Sequence, residues 1–171
     1  MKRIDQVIVG SILALVIALV WIVAGTLEPP VITAGDTALD FKVTTAQGRI
    51  ISPSQFEGKL LVLNLWATWC EGCVKELQSL VAFHQEFASQ GVVVLGVSMD
   101  RNEARYRHFL RQFQVGFETT RDQDWNISGD FGTFKLPETY IINSSGKVVQ
   151  KIVDTYDFMD PDFVAGIRKL L

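Results

Sequence analysis

The sequence predicts an α/β domain whose mixed central sheet is flanked by helices, joined to one long apolar helix at its N-terminus. Three observations carry this reading. Residues 7–25 hold no charge. Two later runs, 60–65 and 92–97, are almost wholly apolar, as strands buried on both faces are. Helical periodicity follows each run, and the chain then closes with a hairpin and a helix, which implies a sheet covered on both faces.

The N-terminal segment comes first. Its 19 residues, 7–25, would span roughly 28 Å as a helix, close to the hydrocarbon core of a bilayer. The segment lacks the polar face of a soluble helix. Lys2 and Arg3 precede it, which orients the N-terminus inward and the remainder outward, and Trp21 suits the outer headgroup zone. A cleavable signal peptide is the competing reading, but its apolar region is shorter, and only Val23 and Gly25 resemble a cleavage pair. Residues 1–27 are therefore expected to be a membrane anchor and 28–35 a linker stiffened by Pro29 and Pro30. Residues 36–171 should form the folded domain.

Within that domain, residues 41–45 and 49–51 flank Ala46-Gln47-Gly48 as a small hairpin. Ser52 and Pro53 read as the cap and first position of a short helical turn that stops at Gly58. After the strand at 60–65, a helix should start near Cys70 and run to about Ser89. Its stripe is Val74, Leu77, Val81 and Ala88, with Leu80 and Phe87 beside it, and Gly91 ends it. Asn102 caps the next helix, whose stripe is Tyr106, Phe109, Leu110 and Phe113. Residues 139–143 and 147–153 form a hairpin about Ser144-Ser145-Gly146. Asp160 and Pro161 open the last helix. Asp122, Asp124 and Trp125 fall in a loop to which the sequence assigns no role.

A formal net charge of −3 over 171 residues gives no electrostatic reason to expect nucleic acid. The only two cysteines, Cys70 and Cys73, lie together in Trp69-Cys70-Glu71-Gly72-Cys73, between a buried strand and an amphipathic helix. At a helix start, backbone N–H groups and the dipole favour a thiolate on the first cysteine. The second is close enough to attack a mixed disulfide. Cys70 is thus the candidate nucleophile and Cys73 the resolving thiol. A structural disulfide would close a tiny loop and be a weak staple. Zinc would need two further ligands, and His84 and His108 are badly placed to supply them. No metal is expected.

Asn64-Leu65-Trp66-Ala67-Thr68-Trp69-Cys70-Glu71-Gly72-Cys73, continuing to Leu77, resembles the active-site segment of the thioredoxin superfamily. Leu136-Pro137-Glu138-Thr139 resembles that family's cis-proline loop. The anchor, the added hairpin and the Glu between the cysteines resemble its TlpA/ResA branch, and Pro-Glu-Thr also resembles the CcmG-type members. The resemblance covers about residues 34–171. It implies a thioredoxin-like fold and an extracytoplasmic thiol-disulfide oxidoreductase. Such a protein would be a disulfide reductant serving cytochrome c maturation or related thiol maintenance. It implies protein thiol or disulfide substrates, apocytochrome c among them, and a membrane thiol electron donor. The protein would be single-pass in the cell membrane, its C-terminal domain in the periplasm or an equivalent space, with no cofactor beyond the redox-active cysteine pair.

The same resemblance implies that Pro137 is cis and faces Cys70, and that Leu136 offers backbone contacts to substrate. Trp69, Glu71 and Gly72 would complete the substrate-binding rim, and Glu76 would exchange protons with the resolving thiol. Burial would lift the Glu76 pKa toward neutrality, as that role requires. The chain also departs from the pattern. Thioredoxin has a buried Asp where Asn64 stands, so proton transfer falls to Glu76. Gly72 replaces the usual Pro of the branch and loosens the first helical turn. Glu71 disfavours the Cys70 thiolate, although Lys75 is spaced to pair with it. Trp66, Trp69 and Phe134 are candidates for an apolar surface, with core packing favoured for Trp66. Three other activities compete with this reading: a disulfide-forming oxidase, copper(I) delivery through the two thiolates, and a peroxiredoxin, whose Pro-x-x-x-Thr/Ser pattern is missing before Cys70.

Overall fold

The computed structural model describes residues 2–26, 31–55 and 60–171. They belong to two compact units, 1–30 and 31–171. The described residues of the first form one helix, α1 (Lys2–Thr26). Its stretch Gln6–Val23 is long and apolar enough to cross a membrane. The prolines of the expected linker and the expected stop at Gly58 lie outside the described residues.

The second unit is built on a five-stranded sheet ordered β5-β4-β3-β6-β7. Its strands are β3 (Leu60–Trp66), β4 (Val92–Ser98), β5 (Glu118–Arg121), β6 (Glu138–Ile142) and β7 (Val148–Val153). β3, β4 and β5 are parallel, β6 is antiparallel to β3, and β7 is antiparallel to β6. The mixed sheet flanked by helices is the thioredoxin-like arrangement the sequence predicts. β3 is central, and all seven of its residues are buried, which is why it reads as an unbroken apolar run.

Among the described residues, four helices accompany the sheet: α2 (Glu71–Phe87), α3 (Glu103–Gln112), the short α4 (Asn126–Asp130) and α5 (Pro161–Leu170). α2 and α5 meet through Phe83, which stacks near Phe87, Phe158 and Phe163. Burying each such ring is worth roughly 1.5–3 kcal/mol. α3 turns Tyr106 and Phe109 onto Trp66. Asn102 caps α3 by accepting from the Arg105 N–H, and Asp160 caps α5 by accepting from Asp162 and Phe163, as their positions predict.

Both sheet edges are protected, as edges of soluble domains must be. The hairpin β1 (Val43–Thr44) and β2 (Ile50–Ile51) lies against β5. Ala46 donates to the Thr119 carbonyl at 2.6 Å, and Thr120 donates to Thr44. At the other edge Gly35 donates to Val148, and Val148 returns a bond to Asp36.

Two expectations need correction. The buried stripe of α2 is Cys73, Glu76, Leu77, Leu80, Phe83 and Phe87. Ala88 is exposed because a 3-10 turn (Ala88–Gln90) follows the helix and rotates it outward. At the short turn Pro53–Gln55 the Ser52 hydroxyl donates to Asp40, and the Asp40 carboxylate also accepts from the Ser54 N–H. Finally, β5 and α4 occupy a region to which the sequence pattern assigns no elements.

Candidate active site

β3 delivers the chain to the site, and a short turn aims the cysteines. Met99 donates to the Trp66 carbonyl, and Cys70 donates to Ala67 at 3.2 Å. Between them, Thr68 is clamped by the buried Asp100, which accepts from the Thr68 N–H at 2.9 Å and the Thr68 hydroxyl at 2.6 Å. Ser98 at the end of β4 donates to the same carboxylate at 2.7 Å. The loop before the cysteines is therefore fixed to two adjacent strand ends.

Cys70 is the N-cap of α2, and its Sγ accepts the Cys73 N–H at 3.2 Å. The two are joined as a disulfide with Cα atoms 5.2 Å apart. Cys70 is 8% exposed and Cys73 4%, so the first cysteine is the more accessible. The helix N-terminus supplies the favourable dipole that a thiolate needs.

The Leu136–Pro137 bond is cis. Register explains its place: Glu138 pairs with Leu65 and Thr139 with Asn64, so Pro137 stands at the end of β3, where α2 begins. A Cβ on Gly72 would lie 3.1 Å from Pro137 Cδ and 2.6 Å from Thr155 Oγ1. Glycine at position 72 thus does more than loosen the helix start. It permits close approach of the Pro137 loop and Thr155.

Glu76 is 3% exposed. Its Oε1 accepts from Asn64 Nδ2 at 2.9 Å, and its Oε2 accepts from the Tyr156 N–H at 3.1 Å. Asn64 also donates to Thr139 Oγ1 at 2.9 Å, tying β3, β6 and α2 together beneath the cysteines. Burial is the main cause that pushes the Glu76 carboxyl up to about 7; the two hydrogen bonds oppose it, and the nearby Asp154 charge adds to it. Glu76 shares the buried face of α2 with Cys73, one helical turn along.

Other charges around the pair are neutralised locally. Glu71, fully exposed, pairs with Lys75 at 2.7 Å, and that hydrogen bond holds its carboxyl below the usual range. Lys135 pairs with Asp154 at 2.5 Å. Behind the Pro137 loop, Glu138 is buried against Lys151 at 2.6 Å and accepts from the Tyr140 hydroxyl.

A cleft of about 380 Å³ opens beside Cys70, lined in part by Trp69, Trp125, Phe134 and Leu136. Glu71 and Gly72 lie on its rim. Trp69 and Phe134 are 56% and 77% exposed, whereas Trp66 is in the core against Phe109. Sequence reasoning gives Trp125 no place in the site. The sequence offers only a lone tryptophan within Asp122-Gln123-Asp124-Trp125, and single exposed aromatics are too common to mark a site by themselves. Asp122 also has a definite role, because its buried carboxylate accepts from Asn126 and Ser128 and caps α4.

A profile of the AhpC/TSA family matches residues 34–151. The chain belongs to the AhpC/TSA family. Within it, the chain is 31% identical over 119 residues to the thiol-disulfide oxidoreductase ResA of a Bacillus cereus strain, covering 70% of this chain and 69% of that protein. It is 32% identical over 124 residues to ResA of Bacillus subtilis, covering 72% and 69%. The fold agrees. A protein assigned as thiol:disulfide interchange protein DsbE from Chlorobium tepidum superposes with a TM-score of 0.74 at 21% identity, over 82% of this chain and 99% of that one. StoA from Bacillus subtilis gives 0.63 at 20% identity, over 70% and 91%. This AhpC/TSA member is a thioredoxin-fold thiol-disulfide oxidoreductase of the ResA type, carrying its cysteine pair at the start of α2.

Among the described residues, no cluster of three or more His, Cys, Asp or Glu side chains is placed to hold a metal ion. His84 lies far along α2, its ring edge-on to Phe117, and burial lowers its pKa.

Proposed function

We propose that the protein reduces disulfides of protein substrates outside the cytoplasm, with Cys70 as nucleophile and Cys73 as resolving thiol. The Cys70 thiolate attacks one sulfur of a substrate disulfide and expels the other as a thiolate. Cys73 then loses its proton and attacks the Cys70 sulfur, releasing the second substrate thiolate and leaving the Cys70–Cys73 disulfide. Two electrons pass to the substrate, and a membrane thiol donor must return them. The pair itself carries the electrons, so the exchange calls for no organic cofactor and no metal.

Glu76 is the proposed acceptor of the Cys73 proton and its donor on the return. A carboxyl poised near 7 on the same buried helix face as Cys73 is suited to both directions at neutral pH. Leu136 and Pro137 form the opposing wall, and Trp69, Glu71 and Gly72 the rim over which a substrate chain would lie.

The direction of electron flow rests on one observation. The carboxylates Glu71 and Glu76 sit close to the cysteines in sequence, while Lys75 and Lys135 are already paired with Glu71 and Asp154. A strongly oxidising pair needs a stabilised reduced, thiolate-bearing form. Here the helix N-terminus acts without help from either lysine, the Glu71–Lys75 pair is locally neutral, and only the ionised form of Glu76 adds a charge, which opposes a thiolate. This supports a reductant. The apolar length of Gln6–Val23, preceded by Lys2 and Arg3, supports an anchor with the catalytic domain on the outer side. Resemblance to the TlpA/ResA branch supports the apocytochrome c cysteine pair as the substrate, taken from disulfide to thiols.

The test is the reduction potential of the Cys70–Cys73 couple in the full chain in detergent micelles, equilibrated against thiol buffers. A value below about −220 mV supports the reductant; a value near −120 mV makes the protein a disulfide-forming oxidase.

A further inference from the structure

The cleft beside Cys70 does not end at Trp69. A second cleft, of about 320 Å³, shares Trp69, Met99 and Trp125 with it and continues to Arg101 and Arg105. The two clefts adjoin at Trp69 and Trp125, which line both, and together they offer a path across the surface beside Cys70. Its ends differ. Beside Cys70 stand Phe134 and Leu136, with Lys135 between them already paired with Asp154; the other end carries Arg101 and Arg105.

The charges along this groove separate into two sets. Glu71 is paired with Lys75 and Lys135 with Asp154. Both oxygens of Asp100 are taken by Thr68 and Ser98. Arg101 and Arg105 are exposed, and among the described residues neither side chain has an ion-pair partner. Their neighbours Arg107 and Arg121 both pair with Glu103. Nothing within the described fold therefore accounts for the two arginines that face the groove.

Trp125, between the two ends, is held firmly. Its backbone is left-handed, with φ 60°, a conformation that a bulky residue adopts only under constraint. The constraint is visible: Trp125 donates to the Asp122 carbonyl, its own carbonyl accepts from Gly129, and the Asp122 carboxylate accepts from Asn126 and Ser128 just beyond. The residue is left 44% exposed, lining both clefts.

We infer that this groove selects its substrate: an extended polypeptide whose reacting cysteine lies between an apolar side chain, seated against Trp125 and Phe134, and an acidic side chain, seated on Arg101 and Arg105. This rests on the proposed reaction at Cys70 and adds the substrate class to it. Arg101, Arg105 and Trp125 are its specificity residues. Charge complementarity at the basic end sets which flank of the substrate cysteine lies there, and the paired charges elsewhere exclude no neighbour.

The test compares peptides of one length, each with a single cysteine held as a disulfide with 2-mercaptoethanol. One side of the cysteine carries Phe. The other carries Glu, Gln or Lys, and both orders are made. The reduced full chain in micelles is the reactant, and 2-hydroxyethyl disulfide is the uncharged reference. In one of the two orders, the second-order rate constant should fall from Glu to Gln by about fivefold, the scale of an exposed ion pair, and fall again to Lys. Arg105→Glu should invert the order, favouring Lys, a gain that misfolded protein cannot mimic. Trp125→Ala should lower the second-order rate constant for Phe peptides relative to Ala peptides. Equal rates for Glu, Gln and Lys in both orders, with normal reaction of 2-hydroxyethyl disulfide, overturn this inference alone. No reaction with 2-hydroxyethyl disulfide overturns the proposed chemistry beneath it.

Discussion

Replacing Glu76 with Gln isolates the ionisation on which the proton-transfer role depends. The folded protein holds this carboxyl at about 7, against an ordinary value of 4.5, chiefly because it is buried. Between those two values the folded state keeps a proton that the unfolded chain has lost. Stability contributed by the protonated group is thus complete below about 4.5. It falls as pH rises through the window and levels off above about 7. At ~1.4 kcal/mol per pH unit, the loss is about 3 kcal/mol. Glu76→Gln removes that slope. It also adds a constant cost, because Oε1 and Oε2 now each accept a bond and the amide has only one oxygen. The cost of one misplaced donor, about 1–3 kcal/mol, is the same at every pH and cancels in the comparison. Urea unfolding of the oxidised protein in micelles, followed by the fluorescence of buried Trp66, gives the readout. With a slope of about 2 kcal/mol per M, the variant's midpoint should gain about 1.5 M on the wild type between about pH 4.5 and 8. Midpoints that move in parallel over this range would show that Glu76 does not titrate there, and the proton-transfer role would fail with it.

Two further substitutions probe the surroundings of the pair. Asn64→Leu leaves Glu76 Oε1 and Thr139 Oγ1 without their shared donor; it should cost about 2–3 kcal/mol and move the neutral limb of the exchange rate profile to higher pH, since that hydrogen bond lowers the Glu76 pKa. Gly72→Ala drives a methyl toward Thr155 and Pro137; it should destabilise by about 1 kcal/mol and slow exchange. Thr155→Ala should restore part of the loss by removing the Oγ1 that lies 2.6 Å from the new Cβ, measured by the same unfolding and exchange assays.

The sequence exposes those parts whose local chemistry points one way. β3 is legible because every residue of it is buried, and α5 because Asp160 and Pro161 are a cap and a first-turn residue acting together. The cysteine pair, Pro137 and Glu76 are legible through motifs lying far apart in sequence, which β3–β6 register brings to one place. The buried stripe of α2 is misread from sequence because Glu76 lies on it: a charged residue at a core position disguises the helical period that defines the stripe. β5 is hidden for a related reason. It is Glu-Thr-Thr-Arg, with only Thr119 and Thr120 buried, and its pairing with Gly96 and Val97 supplies what its own composition lacks. α4 has five residues, opens on a left-handed Trp125, and takes its cap from Asp122, outside the position where a cap is sought. That unreadable stretch is also where the groove acquires Trp125, so the least legible part of the fold contributes to substrate choice.

In the proposed exchange, substrate is held on Cys70 and released by Cys73. Cys73→Ser, prepared reduced in the full chain and mixed with a disulfide-bearing peptide, should accumulate a stable one-to-one mixed disulfide. Mass mapping should place that disulfide on Cys70, and Cys70→Ser under the same conditions should accumulate little. Comparable trapping through Cys73 in Cys70→Ser, or no adduct on Cys70 in Cys73→Ser, would contradict the assignment.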